Sequence, residues 1–170
     1  SSAGETYVVY GGASLGASGS VDLSAVGNKR FVLNGVDASD FSGRSVAPAG
    51  DVNNDGIEDL IIGADGADPA GMSNAGETYV VFGSGSLGTG GSVNLSSLNG
   101  TNGFVLTGID VGDYSGRSVS CAGDVNGDGV DDLIIGAFTA DPDGRSSAGE
   151  FYIVYGGTGL GAGGSVDLSS

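Results

Sequence analysis

Short apolar runs alternate along the chain with turn segments rich in Gly, Ser and Asp. The runs contain mainly Val, Ile, Leu, Tyr and Phe, which favour β-strands, and no stretch has the period of a long amphipathic helix. In the middle of the chain this pattern predicts strands at 43–50, 59–64, 77–82 and 103–107. The unbroken apolar runs Leu60–Ile62 and Leu133–Ile135 predict strands that are buried on both faces.

The same segments recur at a nearly constant spacing, which is the pattern of a repeat protein. AGETYVVYGG begins at Ala3 and returns with few changes at Ala75 and Ala148, at spacings of 75 − 3 = 72 and 148 − 75 = 73 residues. DFSGRSVAPAGDVNNDG at Asp40 returns as DYSGRSVSCAGDVNGDG at Asp113, again 113 − 40 = 73 residues later. Four short antiparallel strands per repeat are typical of a β-propeller blade. A β-sandwich is the alternative fold, but it requires no identical strands at this spacing.

The repeat boundaries predict an all-β chain in three segments. Residues 1–38 are expected to supply the last two strands of a partial blade, 39–111 a complete four-stranded antiparallel blade, and 112–170 the first three strands of a further blade. Because closed propellers have at least about four blades, the sequence predicts an incomplete ring in one chain. Unpaired sheet edges invite association, so we expect partners that are copies of the chain itself or further repeats of the same polypeptide.

The composition is rich in Gly and strongly acidic. Of the 170 residues 36 are Gly, and 21 acidic against 5 basic residues give a formal net charge of −16. This charge repels phosphates and anionic lipids, so we expect neither nucleic acid nor membrane insertion. The single Cys, Cys121, permits no internal disulfide, and the absence of His removes the commonest general base.

Two acidic segments, Asp51–Asp59 and Asp124–Asp132, share the pattern D-x-N-x-D-G-x-x-D. Oxygen ligands at positions 1, 3 and 5 can converge on a hard cation if the chain turns sharply at the Gly of position 6, Gly56 or Gly129. Position 7 can offer its carbonyl while its side chain points into the core, and position 9 closes the cage. The pattern therefore predicts two Ca²⁺ sites, with the ligands Asp51, Asn53, Asp55, Ile57 and Asp59 in the first and Asp124, Asn126, Asp128, Val130 and Asp132 in the second.

Other interpretations of these loops are weaker. A ligand set made only of oxygen disfavours zinc and copper, and magnesium requires a smaller and stricter octahedron. An Asx-rich turn without metal is possible for one loop, but two copies at equivalent repeat positions favour a site, and crowded carboxylates repel each other without a cation. The acidic residues at position 8, Glu58 and Asp131, are expected to face solvent.

Charged residues outside the loops are expected to have structural roles. Arg44 is expected to pair with Asp40, and its repeat equivalent Arg117 with Asp113. The neighbouring carboxyl groups of Asp37 and Asp40 are interpreted as turn caps, with a second cation site as the alternative. The same two interpretations apply to the equivalent pair in the next repeat, Asp110 and Asp113.

These segments resemble the FG-GAP repeat of integrin α-subunit propellers and their bacterial relatives. The matching pieces are FSGRSV from Phe41, the D-x-N-x-D-G-x-x-D loop, LIIGA from Leu60 and GETYVVFG from Gly76, and most of them recur in the next repeat. The resemblance implies a β-propeller with calcium loops between the first two strands of a blade, displayed outside the cell and commonly used in adhesion. A Ser inserted at position 42, and Asp65 or Phe138 where the family has Pro, depart from its pattern. No integrin ligand preference carries over, because the ligand surface of that family lies in variable loops and partner chains.

We therefore expect a calcium-stabilised extracellular structural or adhesion module, either part of a larger chain or the subunit of a self-assembling surface fibre. No enzyme is expected, because the sequence has no nucleophile elbow and no paired carboxylates outside the loops. The alternatives are a non-catalytic propeller domain of a secreted hydrolase and a glycan-binding module. An extracellular protein or a glycan would then be the partner, although 6 Tyr, 6 Phe and no Trp supply few stacking platforms for sugars.

Overall fold

The computed structural model describes residues 3–25, 27 and 30–169, so that the outermost residues of the predicted first and last segments, 1–2 and 170, lie outside the described part. The described residues contain no α-helix, and short 3-10 turns occur at Pro69–Gly71, Leu95–Ser97 and Pro142–Gly144. No helix among them is long and apolar enough to cross a membrane. The strands are β1 (Glu5–Val9), β2 (Arg30–Asn34), β3 (Ser45–Gly50), β4 (Asp59–Ala64), β5 (Glu77–Val81), β6 (Ser92–Asn94), β7 (Gly103–Thr107), β8 (Ser118–Gly123), β9 (Asp132–Ala137), β10 (Glu150–Val154) and β11 (Ser165–Asp167).

The strands form three sheets with the orders β1-β2-β6, β11-β7-β5-β4-β3 and β10-β9-β8. The four strands predicted for the middle repeat are confirmed as β3, β4, β5 and β7, each antiparallel to its neighbour. The all-β class is confirmed as well.

The orientation of the sheets is mixed rather than purely antiparallel. β6 pairs in parallel with β2, and β11 pairs in parallel with β7. Each of these short strands follows the third strand of its own repeat and lies in the sheet of the preceding repeat. Consecutive repeats are therefore joined by main-chain hydrogen bonds as well as by packing. Three-residue strands without a long apolar run carry little sequence signal, which explains why the pattern did not predict them.

The three sheets pack face to face around two apolar clusters. One cluster, between the first and central sheets, includes Phe31, Leu33, Ile62 and Tyr79. The other, between the central and third sheets, is formed mainly by Ile61, Val80, Phe104, Leu106, Leu133 and Ile135. Because Ile61 and Ile62 belong to different clusters, β4 is buried on both faces, as its apolar run predicts. Burial of each such large side chain contributes roughly 1.5–3 kcal/mol.

A register shift ends the first strand of each repeat and directs the chain into the predicted loop. It lies between Pro48 and Gly50 in the β3–β4 pair and between Cys121 and Gly123 in the β8–β9 pair. Gly50 has φ +78° and Gly123 has φ +71°, a conformation that costs Gly little and other residues more. Both loops thus leave their sheets in the same way.

Candidate metal centre

The carboxylate at loop position 1 organises each loop by accepting backbone hydrogen bonds from positions 5 and 6. Asp51 accepts from the N–H of Asp55 at 2.9 Å and from the N–H of Gly56 at 2.8 Å. In the second loop Asp124 accepts from the equivalent residues at 3.0 and 2.8 Å, Asp128 and Gly129. Gly56 has φ +86° and Gly129 φ +91°, which confirms the predicted need for Gly at position 6.

The oxygens at positions 3 and 5 line the same turn. The side-chain oxygen of Asn53 accepts from the N–H of Asp55 at 2.9 Å, and Asp55 accepts from the N–H of Ile57 at 2.9 Å. The second loop repeats both hydrogen bonds at 2.9 Å with Asn126, Asp128 and Val130. The two loops therefore share one hydrogen-bond frame, although they lie in different sheets.

The carboxylate at position 9 is buried and ties the loop to the third strand of its own sheet. Asp59 accepts from the N–H of Val52 at 3.1 Å and from the N–H of Gly83, just after β5, at 2.7 Å. Asp132, also buried, accepts from Val125 at 2.9 Å and from Gly156 at 2.8 Å. Position 9 thus closes the loop at its base through these hydrogen bonds.

Burial and like charge act together on Asp59. The pKa of its carboxyl is raised to about 6, mainly by loss of solvent and to a smaller extent by the nearby charges of Asp55 and Asp51, while the N–H groups of Gly83 and Val52 act to lower it. A cation placed among these carboxylates would offset the repulsion. The electrostatics of the loop therefore favour a bound positive charge.

The donor chemistry of the loops fits a hard cation. Every candidate donor is an oxygen, and an ionised carboxylate oxygen that accepts one hydrogen bond retains a further lone pair for a metal. Among the described residues no group of three Asp, Glu or Cys side chains already forms a metal cage. The fit therefore rests on the mixed set of carboxylate, amide and carbonyl oxygens rather than on acidic side chains alone.

Two expectations about the loop side chains are wrong. Ile57 does not point into the core, because its side chain is 43% exposed. It packs over Gly83, so closely that a Cβ added to Gly83 would lie 2.6 Å from the Ile57 side chain. Asp131 does not face solvent freely, because it is half-buried and accepts from the N–H of Asp51 at 3.0 Å. Glu58, the equivalent residue of the first loop, is exposed as predicted.

The ion pairs predicted for the two Arg residues are also placed differently. Arg44 lies 3.3 Å and Arg117 2.9 Å from one oxygen of Asp65, a nearly buried carboxylate in the turn after β4. Arg117 also lies over the ring of Phe138, which occupies the position of Asp65 in its own repeat. Asp65 therefore joins the central and third sheets through Arg117. Sequence proximity suggested Asp40 and Asp113 as the ion-pair partners, but the turn after β4 brings Asp65 to both Arg side chains instead.

The turn-cap interpretation holds for the pair Asp37 and Asp40. The carboxylate of Asp40 accepts from the N–H of Asp37 at 3.1 Å, across the turn that leads into β3. In the next repeat the N–H of Asp113 donates to the carbonyl of Asp110 at 3.3 Å. The carboxylate of Asp40 therefore caps its own turn, while the bond between Asp113 and Asp110 closes the equivalent turn through the main chain.

Several carboxyl groups of the fold have raised pKa values, and loss of solvent is the main cause in each. They are Asp40, Asp59, Glu77 and Asp113, with neighbouring carboxylates adding to the effect. Ionising such a group costs more in the folded chain than in the unfolded chain. The pKa is lowered at Asp22 by hydrogen bonds from Ser24 and at Asp167 by hydrogen bonds from Ser169.

The metal-free chain is therefore expected to become more stable as the pH falls from 7 to 5. In this window the carboxyl groups with raised pKa values take up protons in the folded chain before they do so in the unfolded chain, so the free energy of unfolding increases. Thermal midpoints at pH 7, 6 and 5 in chelator-treated buffer measure this. A midpoint that falls steadily between pH 7 and pH 5 would contradict the prediction.

Comparison with known proteins finds a repeat family whose matched segments include both loops. The family model described as FG-GAP repeat matches residues 42–81 and 115–154, which include both loops and the first three strands of each repeat. Integrin alpha-2 of Mus musculus is 33% identical over 95 residues. That alignment covers 56% of this chain but only 7% of the integrin chain. The family model thus finds two FG-GAP repeats in this chain.

Proposed function

We propose that this chain is a non-catalytic extracellular module of β-propeller blades whose two loops bind Ca²⁺ and serve an adhesive or structural assembly. The observation that carries the proposal is the common hydrogen-bond frame of two oxygen-rich loops, found at equivalent positions of two FG-GAP repeats. A frame kept in both repeats indicates a shared ligand rather than a chance cluster of charge.

The sheets are proposed to be propeller blades. The central sheet supplies a complete set of four antiparallel strands from residues 39–111, while residues 3–38 supply β1 and β2 and residues 112–169 supply β8, β9 and β10. The stacking of three sheets around two clusters supports this arrangement. Further blades would come from copies of the chain or from further repeats of the same polypeptide.

Each residue of the loop has a defined part in holding calcium. The carboxylates of Asp51 and Asp55 and the amide oxygen of Asn53 would supply ligands from the turn, with the carbonyl of Ile57 beside them. Asp59 would contribute a carboxylate from the base, where two backbone N–H groups already orient it. The residues of the second loop would act in the same way. Bound Ca²⁺ supplies the positive charge that links loop and strand, so binding adds to folding stability.

Similarity to integrin alpha-2 supports an adhesive role but covers a small part of that protein. We therefore propose adhesion for the module as a class and assign it no integrin ligand. An extracellular location agrees with the calcium proposal, because extracellular modules bind Ca²⁺ at about 10⁻⁴–10⁻³ M, and such weak sites are of use only where calcium is plentiful.

Calorimetric titration with CaCl₂ tests the proposal directly. The unmodified chain is expected to bind two Ca²⁺ and to bind Mg²⁺ more weakly, because Mg²⁺ demands a stricter octahedron. D55A and D128A are each expected to remove one site, since each deletes a ligand carboxylate. D143A, which removes a carboxylate that is 82% exposed and outside both loops, is the matched control and should retain both sites. An unmodified chain that binds no Ca²⁺ at millimolar concentration would overturn the proposal.

A further inference from the structure

The two loops differ at position 8, although their ligand frames match. Glu58 of the first loop is exposed. Asp131 of the second loop reaches the neighbouring sheet instead, where it accepts from the N–H of Asp51 at 3.0 Å. Asp51 is position 1 of the first loop and lies 80 residues earlier in the chain. A residue of the second loop therefore contacts the backbone that presents the first carboxylate of the other loop.

The chain leaves space for this contact at Gly50. A Cβ built there would lie 2.3 Å from the carboxylate oxygen of Asp131, so no larger residue fits without displacing it. The equivalent residue before the second loop, Gly123, would meet nothing within 4 Å. Both glycines have positive φ, so the turn alone explains Gly at either position. Among the described residues this close approach occurs at Gly50, where the first loop receives a carboxylate from the next sheet.

A second hydrogen bond holds the same part of the first loop. The N–H of Gly157, which follows β10, donates to the carbonyl of Val52 at 2.8 Å. The N–H of Val52 donates to Asp59 of its own loop at 3.1 Å. Asp51 and Val52 are thus fixed from two sides, by Asp59 within the central sheet and by Asp131 and Gly157 of the third.

We propose that Asp131 is a positioning residue for the first calcium loop, so that the two loops bind calcium as a coupled pair. This inference rests on the proposed function, since it assigns a role toward calcium. Asp131 holds the backbone of Asp51, whose carboxylate in turn orders the turn at Asp55 and Gly56. Asp132, the next residue, is the position-9 ligand of the second loop. Calcium at the second loop therefore restrains Asp131 and favours binding at the first, and linkage makes the effect reciprocal.

The test isolates the first site by placing D128A in the second loop. In this background D131A is expected to weaken Ca²⁺ binding at the first loop by about 10-fold, which is the scale of a lost hydrogen bond to a charged group. D131N keeps an oxygen acceptor for the N–H of Asp51 and is expected to restore most of the affinity. This rescue separates loss of the hydrogen bond from loss of charge.

E58A provides the matched control, because Glu58 has the same loop position and its side chain has no contact with the second calcium loop in the described part of the chain. It is placed in the D55A background, where only the second loop binds, and is expected to leave that affinity unchanged. Equal first-site affinities for D128A and D128A/D131A would overturn the proposal. Equal weakening by D131A and D131N would also overturn it, because charge alone would then account for the effect.

A measurement without metal separates this inference from the calcium proposal. In the metal-free chain D131A is expected to speed amide hydrogen exchange at Asp51 about 10-fold, while E58A leaves it unchanged. If the unmodified chain binds no calcium, the proposed function fails, but this exchange still reports the contact between the loops. If calcium binds and neither exchange nor first-site affinity responds to D131A, the coupling alone fails.

Discussion

Saturating calcium is expected to raise the thermal midpoint of the chain by about 10–20 °C. A ligand present at 100 times its Kd stabilises the folded state by about 2.7 kcal/mol per site, so two sites contribute about 5 kcal/mol. For a domain of this size each kcal/mol corresponds to about 2–4 °C. The effect is large because the loops link the first two strands of each repeat, and without calcium the carboxylates around Asp59 and Asp132 repel one another.

Melting curves by circular dichroism, recorded with excess EGTA and then with increasing CaCl₂, measure this shift. The D55A/D128A double variant is the control and should melt at one temperature with and without calcium. Replacing CaCl₂ with MgCl₂ at equal ionic strength separates site binding from screening of the net charge of −16. Identical curves in EGTA and CaCl₂ would contradict the prediction.

Replacing Asp59 with Ala is expected to destabilise even the metal-free chain, by about 2–4 kcal/mol. The substitution leaves the N–H groups of Val52 and Gly83 without their acceptor at a buried position. Each unsatisfied buried donor costs about 1–3 kcal/mol. Removal of the buried charge of Asp59 offsets part of the combined cost of the two donors. Asp59 thus supports the fold directly, as well as serving as a proposed ligand.

Urea unfolding of the metal-free protein measures this loss. D55A is the matched control, because Asp55 belongs to the same loop but is exposed, and its removal is expected to cost less than about 1 kcal/mol without calcium. With calcium present, both variants should lose the first site. A metal-free D59A chain as stable as the unmodified chain would show that Asp59 acts only as a ligand.

The repeated sequence pattern predicts much of the fold, because strand propensity and apolar burial act over a few residues. β3, β4, β5 and β7 begin or end within two residues of their predicted bounds. The sequence also predicts the turn at Gly56, since a positive φ at position 6 is a local requirement. The hydrogen bonds of the loop frame at positions 1, 3 and 5 follow from the same local rule, because donor and acceptor both lie within the loop. The bonds to Gly83, Gly156, Asp131 and Gly157 leave the loop and do not follow from it.

Contacts between repeats cannot be predicted from such local patterns. β6 and β11 join the sheet of the preceding repeat, although three residues carry little strand signal. Arg117 pairs with Asp65 rather than Asp113, because the packing of two sheets sets which carboxylate it meets.

The sequence alone determined the all-β class, the repeat, the central strands and the two oxygen-rich loops, because each depends on residues close together in the chain. Only the tertiary structure distinguished Glu58 from Asp131, which the pattern treats as the same acidic position. The difference arises because a sheet stacked against the central one brings Asp131 to a backbone N–H 80 residues away, while nothing in the described chain does so for Glu58. The link between the loops therefore depends on how the sheets stack.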